Sequence, residues 1–443
     1  MDVVVNAAAP SARSLDEMCI NTMRFLAIDA VEKAKSGHPG TPMGAATIAY
    51  VLWDRFLRHN PADPKWPDRD RFVLSCGHAS MMLYSLLYLT GYDLSMEDIK
   101  NFRQWESRTP GHVEYGVTPG VEATAGPLGQ GFGNAVGMAI AGKWLASTYN
   151  RPGHDIINHY TYAMVSDGDL EEGVSSEAAS LAGTLRLGKI IFIYDKNDIS
   201  IEGDTKIAFT ENVGERFQAY GWHVVGPIDG LDPDSVDVAI RAAQAETTRP
   251  SLIICRTVIG YGSPNKAGTG AVHGEPLGAE ELRMVREKLG WPYAPFQVPA
   301  EALAHFRLAL ERGSKLQQEW SVRMEAYRRV YPDEAKRLEQ DLSGKLPPGW
   351  DQELGDLFKD QNQPIATRDA SGQVMNVIAR RVSSFVGGSA DLAPSTKTNL
   401  KGYGDFGPDT IGRNMHFGVR EHAMGAVANG MALHGGTIPF TGT

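Results

Sequence analysis

A carboxylate and an amide stand thirty positions apart, each directly after an apolar segment. Asp167 lies in SDGDLEEG and Asn197 lies in YDKNDISIEG. With one nearby backbone carbonyl, for which Ile199 is the candidate, they form half of an oxygen cage for Mg²⁺ or Ca²⁺. Gly168 allows a phosphate to approach, and the helix predicted after it offers N–H donors. Singly, either residue is better explained as a helix cap or a turn residue, but the pair favours a metal site.

Four of the twelve histidines occur in glycine-flanked turns. They are His38 in SGHPG, His78 in CGHAS, His112 in PGHVEYG and His273 in GAVHGEP. A single loop histidine is usually only solvated, whereas four in such settings indicate phosphate binding or proton transfer. Their spacing does not match a zinc pair on a helix, so we reject a histidine metal site.

A glycine-rich segment, GPLGQGFGNAVG at 126–137, leads into a predicted helix. It lacks the lysine of a P-loop and the register of a dinucleotide fingerprint. Close packing of the helix against a neighbouring backbone explains its glycines equally well.

One acidic side chain lies in an otherwise apolar, helix-like stretch, GVREHAMG. Glu421 stands there between Arg420 and His422. We expect a buried carboxyl with a raised pKa that shares a proton with a ring nitrogen. The alternative is an ordinary surface ion pair.

Alternating apolar segments predict the elements that hold these residues. A helix is expected over 16–34, with Asp16 as its cap, and further helices over 81–89, 175–183 and 234–246. Strands are expected over 71–74, 160–165, 189–194, 222–225 and 251–256. Repeated strand–helix–strand units predict a parallel, doubly wound α/β sheet covered on both faces. The turns after Leu74, Val165 and Tyr194 should then converge at one edge of the sheet.

The chain divides into two predicted domains. Residues 1–330 form the first, ending in a charged helical stretch, and residues 331–362 form a linker with proline- and glycine-containing surface segments. Residues 363–443 begin a second α/β domain of similar type. At about 80 residues we expect this second domain to be incomplete.

Composition excludes several classes of protein. The 443 residues carry a formal charge of −10, which argues against general nucleic-acid binding. No apolar run is long enough to span a membrane, and the N-terminal residues are unlike a signal peptide. Cys19, Cys76 and Cys255 are far apart, which fits a reducing cytoplasm.

Together these motifs resemble the transketolase family. SGHPG, GHA, PGH, GPLGQG, the DG…N pair, IGYGS…HG, GGSADL and GVREHAMG occur in the family's order over residues 14–443. The chain departs from the family at Ser166, where a glycine is usual, and at Lys196; neither change removes a ligand. The resemblance also implies the N-terminal two-thirds of a longer protein, without the segment that stacks on the aminopyrimidine ring.

The resemblance implies thiamine diphosphate and Mg²⁺ (or Ca²⁺) as cofactors. The first domain would bind metal and diphosphate, and the second would bind the pyrimidine. The implied metal ligands are Asp167, Asn197, which also contacts the cofactor, and the carbonyl of Ile199. The implied cofactor contacts are His78, Gly168 and His273 at the diphosphate, Gly126 and Leu128 at the thiazolium, and Glu421 of a second subunit at the aminopyrimidine. A homodimer with its active site at the subunit interface follows.

The implied reaction moves a two-carbon ketol group, through an enamine of the cofactor, from xylulose 5-phosphate to ribose 5-phosphate or erythrose 4-phosphate. His38, His112 and His273 would orient hydroxyls and assist proton transfer. Arg368 and Ser395 would bind the sugar phosphate, with Asp391 nearby. The pentose phosphate pathway and the Calvin cycle both use this reaction. The alternatives are dihydroxyacetone synthase, 1-deoxyxylulose-5-phosphate synthase, which fits less well, and a catalytically dead chain that binds cofactor or dimerises.

Overall fold

The structure, a computed structural model, describes residues 12–443, with side chains from Ser14 onward. The segment compared above with a signal peptide lies largely in residues 1–11, outside the described residues. No helix in the described part of the chain is long and apolar enough to cross a membrane. The three cysteines are buried and unpaired.

The strands are short and mostly buried. They are β1 (Arg71–Leu74), β2 (Thr161–Ser166), β3 (Ile190–Lys196), β4 (Ile199–Ser200), β5 (Gly203–Asp204), β6 (His223–Asp229), β7 (Ser251–Arg256), β8 (Phe385–Ser389), β9 (Asp405–Phe406), β10 (Asn414–His416) and β11 (Ile438–Gly442).

The helices take up about half of the remaining described chain. They are α1 (Ala12–Ala34), α2 (Gly40–Gly44), α3 (Ala46–Val51), α4 (Ser80–Thr90), α5 (Met96–Lys100), α6 (Gln130–Tyr149), α7 (Asp167–Glu171), α8 (Gly173–Thr184), α9 (Val213–Ala219), α10 (Pro233–Ala245), α11 (Ala279–Lys288), α12 (Ala300–Val330), α13 (Pro332–Leu342), α14 (Thr367–Arg381), α15 (Ala393–Thr396) and α16 (Glu421–His434).

The first domain is built on a five-stranded parallel sheet in the order β1-β2-β3-β7-β6. Met164 of β2 pairs with Leu74 of β1, and Ser166 at the end of β2 pairs with Asp195 of β3. The carboxyl ends of β1, β2 and β3 therefore meet at one edge. The predicted parallel α/β sheet and the convergence of its turns are confirmed.

Both faces of this sheet are covered by helices. Alternate residues of each strand point to opposite faces, so each strand contributes side chains to two cores. Phe72 and Met164 belong to a core formed with α1, α3, α4 and α10. Val73 and Val165 belong to a second core formed with α6 and α8. The doubly covered arrangement follows from strands that are apolar on both faces.

The second domain carries a four-stranded parallel sheet in the order β11-β8-β10-β9. Its helix α16 packs against α6 of the first domain with the backbones very close. A Cβ added at Gly137 would lie 2.0 Å from the carbonyl oxygen of Val427, and one at Gly430 would lie 2.0 Å from that of Asn134. The packing explanation for the glycine-rich segment thus holds at its C-terminal end.

Two details differ from the sequence predictions. Asp16 lies inside α1 rather than at its cap, and it accepts hydrogen bonds from Arg55 (2.6 Å) and Tyr50 (2.5 Å). The predicted linker contains α13, whose Asp341 accepts hydrogen bonds from Tyr149 of α6 and from Ser383 of the second domain (2.9 Å). Helix α13 therefore contacts both the first and the second domain.

Candidate active site

The exit of β2 forms a tight turn without needing a glycine. Ser166 is extended, with φ −114° and ψ 175°, and caps α7 through reciprocal hydrogen bonds with Asp169. A serine fits this position because its hydroxyl serves the cap. The departure from the family's usual glycine therefore leaves the turn intact.

Asp167 is held from two sides. The Tyr194 hydroxyl donates to its Oδ1 at 2.6 Å, and the backbone N–H groups of Asn197 and Asp198 donate to its Oδ2 at 3.3 and 3.2 Å. Burial raises the pKa of Asp167, against the lowering effect of the Tyr194 hydrogen bond. A bound cation would favour the charged form of this buried carboxylate.

Asn197 is oriented by a residue that the sequence analysis missed. Its amide Nδ2 donates to Asp195 Oδ2 at 3.1 Å. Its Oδ1 therefore faces the loop between β3 and β4, where it accepts a hydrogen bond from the N–H of Ile199 at 3.2 Å. Asp195 is fully buried, which raises its pKa to about 7, and it also accepts the hydroxyl of Thr257. Asp195 was overlooked because its role depends on contact with Thr257, which is distant in the sequence.

The predicted metal site has one carboxylate, one amide oxygen and one main-chain carbonyl. Within residues 14–443, no three His, Cys, Asp or Glu side chains gather around a possible metal position. Such a mixed oxygen donor set suits Mg²⁺ or Ca²⁺ that shares ligands with a phosphate. Lys196, the second departure from the family, forms an ion pair with Asp198 and leaves Asn197 in place.

The four predicted histidines form one cluster. The His38 ring lies 5.2 Å from His78, 6.0 Å from His112 and 5.8 Å from His273, measured between ring centroids. His78 and His273 stack at 5.2 Å. The four glycine-flanked turns, between α1 and α2, after β1, in the loop before α6 and before α11, bring these rings together across more than 230 positions of sequence.

The histidines of the cluster are held in the neutral form. Burial lowers the pKa of His38 to about 4, with further lowering by His273, Arg103 and His112. Burial also lowers the pKa of His78, His112 and His273. Arg103, which the sequence analysis missed, lies with its Nη2 3.5 Å from His38 Nδ1 and donates to the Ser36 hydroxyl at 2.8 Å.

Two ring nitrogens of the cluster are buried without a hydrogen-bond partner among the described residues. They are His78 Nε2 and His273 Nδ1. A buried polar atom with no partner is costly, and a bound ion or ligand is one arrangement that satisfies it. Imidazole N–H groups on these atoms would suit phosphate oxygens, so the cluster fits the diphosphate of thiamine diphosphate.

The glycine-rich loop before α6 lies close to both the histidine cluster and the turn that contains the predicted metal ligand Asp167. A Cβ added at Gly126 would lie 3.4 Å from the His112 ring, and one added at Gly168 would lie 2.8 Å from Leu128 Cδ1. Gly126 thus adjoins the cluster and Leu128 covers Gly168. The glycine-rich loop therefore lies between the histidine cluster and the Asp167–Gly168 turn.

Comparison with known proteins decides the family. Residues 15–347 match the family model described as "Transketolase, thiamine diphosphate binding domain", and residues 363–443 match "Transketolase, pyrimidine binding domain". The chain belongs to the transketolase family. The resemblance inferred from the sequence motifs is thereby confirmed.

Transketolases of known sequence and structure match nearly the whole chain. The Geobacillus stearothermophilus transketolase is 57% identical over 98% of this chain and 65% of its own length. Transketolase 2 of Escherichia coli is 54% identical over 96% and 64%. The Pichia stipitis transketolase in complex with sedoheptulose 7-phosphate is 46% identical, with a TM-score of 0.94 over 97% of this chain and 64% of that one. The chain thus spans about two-thirds of the length of these relatives.

The remaining predicted site residues lie in the transketolase pyrimidine-binding domain. Glu421 begins α16 and is exposed, so the prediction of a buried carboxyl is wrong for this chain by itself. Its neighbours dock on the first domain: His422 Nε2 lies 3.1 Å from Gln130 Nε2, and the Ala423 N–H donates to Glu177 at 2.9 Å.

Arg368 and Ser395 are also exposed, on α14 and α15, two helices that contact each other. Asp391 adopts the left-handed conformation, with φ +63°, in the turn after β8. Arg368, Ser395 and Asp391 lie in the second domain, whereas the histidine cluster lies in the first. Their assignment to substrate binding stays a prediction.

Proposed function

We propose that this chain forms the cofactor-binding part of a transketolase, which transfers a two-carbon ketol group from xylulose 5-phosphate to ribose 5-phosphate or erythrose 4-phosphate. One observation carries the proposal. The unpartnered nitrogens of His78 and His273 and the Asp167–Asn197 loop lie on either side of the glycine-rich loop that contains Gly126 and Leu128. A diphosphate bound to a divalent cation is the chemistry that would satisfy both.

The residues of this chain would hold the cofactor in two parts. Asp167, Asn197 and the carbonyl of Ile199 would bind Mg²⁺ (or Ca²⁺). His78, His273 and the backbone at Gly168 would contact the diphosphate, and Gly126 and Leu128 would line the thiazolium. When bound, thiamine diphosphate supplies the reactive carbon that accepts and releases the ketol group.

The neutral histidines would act on the sugar. His38, His112 and His273 each present a ring nitrogen that can accept a hydroxyl proton and another that can donate. Because burial lowers their pKa values, the rings are neutral at neutral pH, and each keeps one nitrogen lone pair that can accept a hydrogen bond from a hydroxyl. At the far end of the sugar, Arg368 would bind the phosphate group of the sugar through its planar guanidinium, with Ser395 beside it.

A homodimer would complete the site. Glu421 is exposed at the N-terminus of α16, where a second subunit can reach it. Glu421 of one subunit would then hydrogen-bond the aminopyrimidine ring held by the other. The proposed division is a diphosphate- and metal-binding domain over residues 1–330, a linker over 331–362 and a pyrimidine-binding domain over 363–443. The unpaired, buried cysteines support a cytoplasmic location.

The test is formation of glyceraldehyde 3-phosphate from xylulose 5-phosphate and ribose 5-phosphate by this chain with thiamine diphosphate and Mg²⁺. Transfer that requires both cofactors would show that this chain by itself carries the proposed activity. Formaldehyde as a better acceptor than ribose 5-phosphate would favour dihydroxyacetone synthase. Bound cofactor without any transfer would favour a chain that only binds cofactor or dimerises. Turnover that needs no added cofactor would contradict the proposal.

A further inference from the structure

Asp169 is a fully buried carboxylate at the exit of β2, and its hydrogen bonds come from three separate segments. Its Oδ1 accepts from the Ser75 hydroxyl at 2.6 Å and from the Gly129 N–H at 2.9 Å. Its Oδ2 accepts from the Ser166 N–H at 2.9 Å and from the Ser166 hydroxyl at 3.0 Å. All of these donors are neutral, and hydrogen bonds to a buried charged acceptor are among the stronger ones in proteins.

Each of these segments carries a residue assigned above to the cofactor. Ser75 lies three positions before His78, at the end of β1. Gly129 follows Leu128 in the glycine-rich loop, and Ser166 directly precedes Asp167. One carboxylate thus connects the diphosphate contact, the thiazolium-lining loop and the metal ligand.

The loop and the end of β1 are packed too closely to shift independently. A Cβ added at Gly131 would lie 2.6 Å from Ser75 Cα, and one added at Gly77 would lie 2.2 Å from the carbonyl oxygen of Ala125. Gly129 has φ +78°, a conformation that favours glycine. Asp169 holds this glycine's N–H and therefore closes the junction between the two segments.

We propose that Asp169 is a positioning residue for the cofactor: it fixes the spacing of the His78 turn, the loop at 126–129 and Asp167. This inference rests on the proposed function, because the cofactor contacts are assigned there. Asp169 itself would touch neither cofactor nor substrate. Its effect would pass through the three segments that it joins.

A matched control lies at the amino ends of the strands of the same sheet, opposite the proposed cofactor site. Asp70, just before β1, is 3% exposed and accepts the backbone N–H groups of Arg58 at 2.9 Å and Tyr160 at 2.8 Å. Loss of this buried carboxylate should lower stability as loss of Asp169 does. It should leave the cofactor-binding edge unchanged.

The experiment compares Asp169→Asn and Asp70→Asn with the unsubstituted chain. The dissociation constant for thiamine diphosphate is measured with saturating Mg²⁺ by titration calorimetry, and the thermal midpoint is recorded for each. We expect a 10- to 100-fold weaker affinity in Asp169→Asn only, roughly the loss typical of residues that orient ligands. Equal affinities in the two variants at similar thermal midpoints would overturn the inference.

Two further measurements separate an effect on cofactor binding from a general loss of folding. Ser75→Ala removes a single donor to Asp169 and keeps the carboxylate, so it should fold and should weaken cofactor binding less than Asp169→Asn. Amide hydrogen exchange without cofactor should rise at 75–80 and 126–131 in Asp169→Asn and not in Asp70→Asn; unchanged exchange there would overturn the inference. If the unsubstituted chain binds no thiamine diphosphate, the proposed function fails, and the exchange result still decides whether Asp169 holds the segments.

Discussion

At the scale of single residues, the site depends on buried polar groups whose partners are mostly neutral. Tyr194 and two backbone amides hold Asp167, and Asp195 orients Asn197. The histidine cluster is kept uncharged by burial and by the nearby Arg103. A neutral imidazole ring can accept a hydrogen bond at one nitrogen and donate one from the other.

The low pKa of His38 predicts an acid-sensitive stability. The unfolded chain takes up a proton at His38 near its ordinary value of 6.5, whereas the folded chain does so only near pH 4. Between these values the unfolded state holds more protons, so stability is present above pH 6.5 and is lost as the pH falls toward 4. In His38→Asn this loss should be smaller.

Urea unfolding of both proteins at pH 7 and pH 4.5 measures the effect. The unsubstituted chain should show the larger drop in its unfolding midpoint between the two conditions. If the drop is the same in His38→Asn, this histidine is not held neutral by the fold.

Several site residues could be predicted from the sequence because they directly follow apolar segments that form strands. Asp167 and Asn197 follow apolar strands, and strand ends in a parallel sheet must meet. Glu421 shows the limit: its apolar neighbours predicted burial, but those neighbours pack on α6 while Glu421 itself faces outward at the start of α16. Arg103, Asp169 and Asp195 were missed, because their roles depend on contacts between distant segments.

At the scale of elements, the packing of α6 on α16 joins the two domains. Glycines on both helices allow backbone contact, as Gly137 and Gly430 show. Gly425, on the same helix α16, has open space where a Cβ would be added. The two helices therefore offer a matched pair of substitutions.

Gly137→Ala should destabilise the protein by about 1–3 kcal/mol, because its Cβ would meet the Val427 carbonyl oxygen and the helices would have to separate. Gly425→Ala should instead be neutral or stabilise by up to about 1 kcal/mol, since alanine is the better helix former. Thermal unfolding of both variants checks this. Equal midpoints would show that close helix packing does not hold the domains together.

Element boundaries show which signals the sequence carries. The strands β1 and β7 have the predicted bounds, because their apolar runs end sharply. Asp16 was misassigned as a cap because α1 begins upstream of it at Ala12. Helix α13 was assigned to the linker, since its charged sequence hides the buried contacts of Ala335 and Leu338.

At the scale of the whole molecule, the two domains share a core. Val386, Met415 and Met431 of the second domain pack in the same cluster as α6 and α8 of the first. The proposed active site nevertheless needs Glu421 from another subunit. A site divided between subunits makes a prediction that a site within one chain does not.

Mixing two inactive variants should restore transfer. Asp167→Asn removes the metal ligand and Glu421→Gln removes the carboxylate that a partner donates. Heterodimers would contain one intact site and one doubly defective site, so random exchange of subunits should recover about a quarter of the unsubstituted activity. A mixture that stays silent, although mass spectrometry shows heterodimers, would mean that both residues serve the same site within one chain.

The most direct test of the central claim is the affinity of this chain for thiamine diphosphate, measured by titration calorimetry with and without Mg²⁺. We expect binding that requires Mg²⁺ and that weakens by roughly 100-fold or more in Asp167→Asn. Glu202→Gln, which removes one negative charge from the exposed loop between β4 and β5, should bind like the unsubstituted chain. Equal affinity in Asp167→Asn, or binding that is indifferent to Mg²⁺, would contradict the account.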